Sequence, residues 1–270
     1  ARMGRELAGW VRLAAGHGID VGAWRGAGLE AGVYAPGAGR WMLDLDVLVR
    51  VEQWVEFTAL LEEQGYRIQG LTLAETGFAL RDGHHAPAYW RSGGVCAVEV
   101  HWTVVDGEAR GGLPMVEAWQ RAVPLVLGDG TRLWQLAGED ALLYVAAHAT
   151  YQHGLRVGLR ALADVAQLVA VCALDWDVVC ERARCYGWRR GLYVVLWWAR
   201  DGLGAAVPEW VLGALTVGEE EAQLVRGRRL AWEQVWLGDV RGSGEEDLTR
   251  GAPLRLSRMG GVWDGLRRLW

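Results

Sequence analysis

Hydrophobic positions along the chain recur with two different periods. Residues 5–16, "RELAGWVRLAAG", carry apolar residues at helical spacing and end in Gly, which predicts a helix with a C-terminal stop. "GIDVGAW" predicts a short strand or turn, and "GAGLEAGVY" the next helix. After the Pro/Gly loop "APGAGR", the run "MLDLDVLV" switches to period two and predicts a strand. Helical period returns over residues 52–64, with Val51, Trp54, Val55, Thr58 and Leu61 expected on the apolar side. "YRIQGLTL" and "GFALRDGHHAPAYWR" predict a strand and a hairpin, and "GGVCAVEVHWTVVD" a second strong strand. Beyond Gly138 the pattern is helical throughout, in "EDALLYVAAHATYQH", "LRALADVAQLVAVCA", "DWDVVCERARCYG" and "RRGLYVVLWWARDGLGA", several opening on an acid that suits a helix N-terminus. The expected architecture is α+β, a mixed β-sheet domain over residues 1–135 followed by an all-helical domain over 136–270, with "RGSGEEDLTRGAPLRLSR" as a long loop.

The strand "RWMLDLDVLVR" poses a chemical problem. Alternation puts Asp44 and Asp46 on one face and Leu43, Leu45 and Val47 on the other. Two carboxylates side by side repel, and burying them unpaired costs several kcal/mol each. A divalent cation, a neighbouring arginine such as Arg40 or Arg50, or water at a strand end can each offset them. A second strand adds to the set, because Glu99 and His101 in "VEVHW" also share a face. Three convergent carboxylates suit Mg²⁺ against a triphosphate, the third acid serving as general base or binding a second ion. Taken alone, Glu99 also fits the solvated face of an edge strand, and His101 a packed, hydrogen-bonded histidine.

Composition narrows the partners. The formal charge of −5 argues against a nucleic-acid binder held by phosphate electrostatics. The chain has no Lys and no Asn, all 28 basic residues are Arg, and Trp occurs 17 times; every enriched type has G-rich codons, so base bias explains the skew before chemistry does. The longest uncharged apolar run, residues 165–174, falls short of the ~18 residues a membrane span needs, and no signal-peptide layout precedes it. Cys96, Cys172, Cys180 and Cys185 lack a C-x-x-C spacing and are expected to be free, in a reducing, cytoplasmic setting. The chain starts "ARMGRELAGW", without an initiator Met, as a fragment or a processed chain does.

Three further features carry weaker expectations. Gly26, Gly28 and Gly32 mimic a dinucleotide fingerprint, but the acids precede most of the following apolar run, where a Rossmann site places its ribose-binding acid after it. His148 and His153 lie five apart, about 140° around a regular helix, so they are not expected to share a face or form a metal pair. Asp164 is expected to pair with Arg160 at i,i+4 on a helix surface.

The ordered set "WRGAGLEAGVY", "RWMLDLDVLVR", "GY", "VEVHW", "LLYVAAHATYQHG" and "LADVAQL", over roughly residues 20–205, resembles the uncharacterised nucleotidyltransferase family of the DNA polymerase beta-like superfamily. The resemblance implies a nucleotidyltransferase-type sheet domain, with Asp44 and Asp46 as metal-binding carboxylates and Glu99 as the third acid. It implies that Gly26 stands in the Gly-rich turn that receives phosphate oxygens, and that Arg40 meets a phosphate or orients Asp44. The superfamily's Gly-Ser pair is replaced by "RGAG", with Arg25 where the family usually has Lys, a planar fork in place of a point charge. The implied activity is Mg²⁺-dependent transfer of a nucleoside monophosphate from an NTP to a small-molecule or peptide acceptor, with Arg25, Gly26 and Arg40 holding the triphosphate. The alternative is a catalytically inactive module of the same fold that binds a nucleotide or a partner protein.

Overall fold

The computed structural model describes residues 2–35, 38–40, 42, 44–68, 85–104, 112–153, 159–216 and 218. Its architecture is α+β. Helix α1 (Arg2–Gly16) and the short α2 (Gly26–Gly32) precede strand β1 (Asp44–Leu48) and helix α3 (Trp54–Glu63). Strands β2 (Arg67–Ile68), β3 (Tyr89–Trp90) and β4 (Ala97–His101) complete a four-stranded sheet in the order β1-β4-β3-β2. Strand β4 runs parallel to β1 and antiparallel to β3, which makes the sheet mixed. Helix α4 (Met115–Arg121) and a hairpin of β5 (Val123–Val126) and β6 (Arg132–Gln135) lead into the helical half. The hairpin leans on the first half through Trp134, whose backbone exchanges hydrogen bonds with Val21 and Ala23 at 3.0 and 2.9 Å.

The two-residue period decides what the sheet buries. Leu45, Val47, Val98 and Val100 are fully inaccessible and pack against α1 and α3, each contributing about 1.5–3 kcal/mol of burial. The other face of the same two strands carries Asp44, Asp46, Glu99 and His101. In α3 the buried side is Phe57, Thr58, Leu60 and Leu61, while Val51 and Val55 are exposed, so the apolar stripe lies to one side of the predicted one.

The helical half comprises α5 (Gly138–Ala147), a π-helical turn (His148–Gln152), α6 (Leu159–Val171), α7 (Trp176–Cys185), α8 (Arg189–Leu203) and α9 (Glu209–Leu215). Asp175 caps α7 by accepting from the N–H groups of Asp177 and Val178. Leu142, Leu143, Val165, Leu168, Val195 and Leu196 form the centre of its core, which also takes in Trp24, Leu29 and Val33 from around α2. One face of α2 thus belongs to the helical core, and α2 is fixed against both halves. The four cysteines are free, with Cys185 exposed. No helix among the described residues is long and apolar enough to cross a membrane. The sequence-predicted loop at 241–258, and most of the predicted hairpin before His85, lie outside the described residues.

Two buried acids tie the pieces together. Asp140, fully inaccessible at the start of α5, accepts from Arg121 Nε at 2.7 Å and Arg182 Nη1 at 2.9 Å, linking α4, α5 and α7. Asp164 on α6 plays the same part for the chain before β1, as described below.

These contacts give two stability predictions. Asp140→Ala leaves two guanidinium groups around an apolar gap and is expected to cost about 3 kcal/mol, read as a lower denaturation midpoint with native far-UV dichroism retained. A Cβ on Gly28 would fall 1.7 Å from the carbonyl oxygen of Ala23, so Gly28→Ala forces α2 off that backbone. Its expected cost is about 2 kcal/mol, whereas Gly9→Ala, on the open face of α1, gains up to about 1 kcal/mol in the same measurement.

Candidate active site

The parallel register of β1 and β4 sets Asp44 beside Ala97, Asp46 beside Glu99, and Leu48 beside His101. Because both strands present the same face at these positions, Asp46, Glu99 and His101 gather at one spot. One ligand atom from each lies within 4.8 Å of the others, a donor set that could hold a metal ion. His101 Nε2 is 3.1 Å from Asp46 Oδ1 and 3.6 Å from Glu99 Oε2. Asp44 is not a member of this close group, but it lines the same cavity and feels both other carboxylates.

The counter-ion of the D-x-D strand is neither Arg40 nor Arg50. Arg50 lies over the Trp119 ring, 4.7 Å from its centroid, and faces Asp20. Asp46 is instead paired with Arg25, which enters α2 and donates from Nη2 to Asp46 Oδ1 at 2.5 Å. Both side chains are almost buried, at 14% and 12% exposure, so the pair is poorly screened. The second terminal nitrogen of Arg25 donates to Nε2 of His148, and the guanidinium lies 5.7 Å from the centre of the Tyr144 ring.

The histidine geometry overturns an expectation. His148 and His153 do share a face, with their Nε2 atoms 2.9 Å apart and ring centres at 4.3 Å. The helix is not regular there: the His153 N–H reaches the His148 carbonyl five residues back, at 3.2 Å, and the wider π turn stacks residues that a 3.6-residue helix would splay. Thr150 inside the turn donates to the Ala146 carbonyl, and Gly191 of α8 lets it seat closely. A guanidinium can only donate, so His148 Nε2 offers its lone pair and the ring is neutral with its proton on Nδ1. Burial and the nearby Arg25 charge push its pKa well below the ordinary histidine value.

The carboxylates divide in the same way. Burial opposes ionisation of Asp46, but Arg25 and then His101 outweigh it, and its pKa falls far below the carboxylate range. Glu99 is lowered by its hydrogen bond to His101. Burial, then Asp46 and Glu99, raise Asp44. Burial also disfavours the charged form of His101, yet its bonds to Asp46 and Glu99 carry its pKa upward.

Arg40 reaches the site from the other side. Its Nε and Nη2 form a two-pronged contact with Asp164, both at 2.7 Å, and Tyr34 donates to the same carboxylate at 2.7 Å. Asp164 is buried against these two side chains, in place of the surface pair with Arg160. Arg160 faces the cavity, a space of about 370 Å³ whose lining includes Asp44, Asp46 and Glu99 together with Arg25, Arg40 and His153. Gly26 forms part of the wall, where a Cβ would press on Met42 Sδ at 3.1 Å. The structure therefore brings all six sequence-predicted site residues to one cavity. His85, His148, His153 and Arg160 also line it, while His101 belongs to the close group with Asp46 and Glu99, its ring 4.8 Å from that of His85. Helical period alone could not single out Tyr34 or Tyr144, which serve the site through tertiary contacts.

No curated protein matches the chain. Among solved structures it is similar to the solution structure of the antibiotic-resistance factor ANT(2'')-Ia, at 11% identity over 90% of this chain and 100% of that one, with a TM-score of 0.41. A model of the uncharacterised nucleotidyltransferase family matches residues 1–204, most of the chain, and the protein belongs to that nucleotidyltransferase family.

Proposed function

We propose that the protein transfers a nucleoside monophosphate from an NTP to a hydroxyl of a small-molecule or peptide acceptor, with Mg²⁺ accompanying the triphosphate. The observation that carries this reading is the register of β1 with β4, which sets Asp46 beside Glu99 in a cavity that Asp44, Arg25, Arg40 and Arg160 also line. Asp44 and Asp46 are the oxygen donors for Mg²⁺. A bound dication there supplies charge neutralisation and a template for the phosphate oxygens. Arg25, Arg40 and the backbone at Gly26 hold the triphosphate; Arg40 keeps Nη1 outside its contact with Asp164. Glu99, held ionised beside His101, takes the proton of the acceptor hydroxyl. The acceptor oxygen then bonds to the α-phosphorus as the bond to the β-phosphate oxygen breaks, and pyrophosphate leaves with that electron pair. Preorganised charge and alignment supply most of the acceleration.

One observation favours a second reading, a module that binds a nucleotide or partner without turnover: Arg25 already satisfies Asp46, the acid most needed for metal. Pyrophosphate release with a nucleotidylated product separates the two.

Calorimetric titration of each NTP into the protein is expected to show binding with Mg²⁺ and none after EDTA, and Asp46→Asn is expected to remove the Mg²⁺-dependent binding while leaving the fold intact. Binding unchanged in Asp46→Asn sinks the metal assignment. The charge states are testable by NMR of the imidazoles in EDTA-treated protein: His101 is expected to titrate above the ordinary value of about 6.5, and His148 below it. The raised value means that His101 stabilises the fold at pH below its unfolded pKa and loses that contribution as pH rises through its folded pKa. In Asp46→Asn the His101 midpoint is expected to fall; an unmoved midpoint would show that the Asp46 contact does not set it.

A further inference from the structure

We propose that Asp46, Glu99 and His101 form a protein-held site for a transition-metal dication of the Mn²⁺ class, with His101 as a direct ligand that selects such an ion over Mg²⁺. This rests on the transfer reading for its role beside the nucleotide, where it would be a second ion next to the Mg²⁺ that the triphosphate brings, but not for its ligands.

The distances suit coordination. Two neighbouring ligands of an octahedral ion with bonds of about 2.1 Å stand ~3 Å apart, about 1.4 times the bond length. His101 Nε2 lies 3.1 Å from Asp46 Oδ1 and 3.6 Å from Glu99 Oε2, and the three ligand atoms all fall within 4.8 Å of one another, so an ion that meets all three draws them together. The ring is held in place: His101 is 3% exposed at the end of β4, and its backbone is bonded to Val49 at 2.9 Å. An imidazole fixed with Nε2 toward two carboxylates is a donor set for borderline metals, whereas Mg²⁺ keeps to oxygen and to its own waters.

Charge points the same way. Asp44, Asp46 and Glu99 all line the cavity, while Arg40 is committed to Asp164 and Arg25 is the guanidinium bonded to Asp46. A dication at the triad would compete with Arg25 Nη2 for Asp46 Oδ1 and would leave Arg25 to a phosphate oxygen. An ion bound through His101 also displaces the Nε2 proton that now faces Asp46, so binding releases a proton to solvent.

Mn²⁺ alone, added to EDTA-treated protein without nucleotide, is the probe. Electron spin echo spectroscopy of the bound ion is expected to show coupling to a directly bonded nitrogen, and Mg²⁺ is expected to displace the ion only at roughly tenfold excess or more. His101→Gln retains an amide donor near the Nε2 position for Asp46 and is expected to lose both the nitrogen coupling and the preference. That comparison separates His101 from His85, His148 and His153. Mn²⁺ bound without nitrogen coupling in the wild-type protein, or displaced by Mg²⁺ one for one, overturns the assignment, as does the absence of binding; these readouts do not depend on how the variant folds. Nucleotidyl transfer in a protein that fails them leaves the transfer reading standing. Nitrogen-coupled Mn²⁺ in a protein that binds no NTP does the reverse.

Discussion

The site is organised around one buried anion. Asp46 sits in the middle of a sheet face, and a carboxylate there costs several kcal/mol unless it is paired and hydrogen-bonded. Its Oδ1 accepts from Arg25 at the entry to α2 and from His101 on the neighbouring strand. Arg25 in turn donates to His148 at the end of α5. One oxygen atom therefore sets the relative placement of four elements from both halves of the chain. The alternation of β1 puts the acid on this face, and Gly28, by letting α2 pack onto the Ala23 carbonyl, brings Arg25 within reach.

The same solution recurs away from the cavity. Asp164 and Asp140 are buried acids on the helical half; Asp164 takes the guanidinium of Arg40, and Asp140 those of Arg121 and Arg182. An all-Arg composition accounts for the form these contacts take. Lys offers a point charge and could neutralise any of these acids, but it could not grip both oxygens of Asp164 in plane or span from Asp46 to His148. Base bias can explain why the residues are Arg, and the planar fork explains what the fold does with them. Burial by paired contacts is not in itself strong evidence for stability, since apolar replacements often do as well; here it fixes register between halves.

Periodicity carried the local structure well. The two-residue alternation of "LDLDV" and "VEVH" identified both the buried and the acidic faces, and the helical runs after Gly138 formed close to their predicted limits. It failed where the outcome depends on distant partners or on a departure from regular geometry. Asp46 and Glu99 are neighbours because β4 returns parallel to β1, a pairing that no window of sequence contains. The partners of Asp46 and Asp164 are 21 and 124 residues away, so local spacing suggested Arg40 and Arg160 instead. The His148 and His153 pair was lost by assuming 3.6 residues per turn; a single π turn restores the common face.

That π turn also explains why the charges in the cavity do not cancel into an inert knot. With its proton on Nδ1, His148 accepts from Arg25, so the π turn sets a lone pair and no positive charge beside that guanidinium. Were His148 protonated, it would repel Arg25 and push it further onto Asp46. Neutral, it gives the guanidinium a second acceptor that does not neutralise it, and Arg25 keeps its charge directed between the carboxylates and the open space beyond. Arg25 Nε is buried with no hydrogen-bond partner among the described residues. A new anion in the cavity would therefore meet a cation whose partners are one shared carboxylate oxygen and one neutral ring, an arrangement that gives way more readily than a two-pronged carboxylate contact such as that of Arg40 with Asp164.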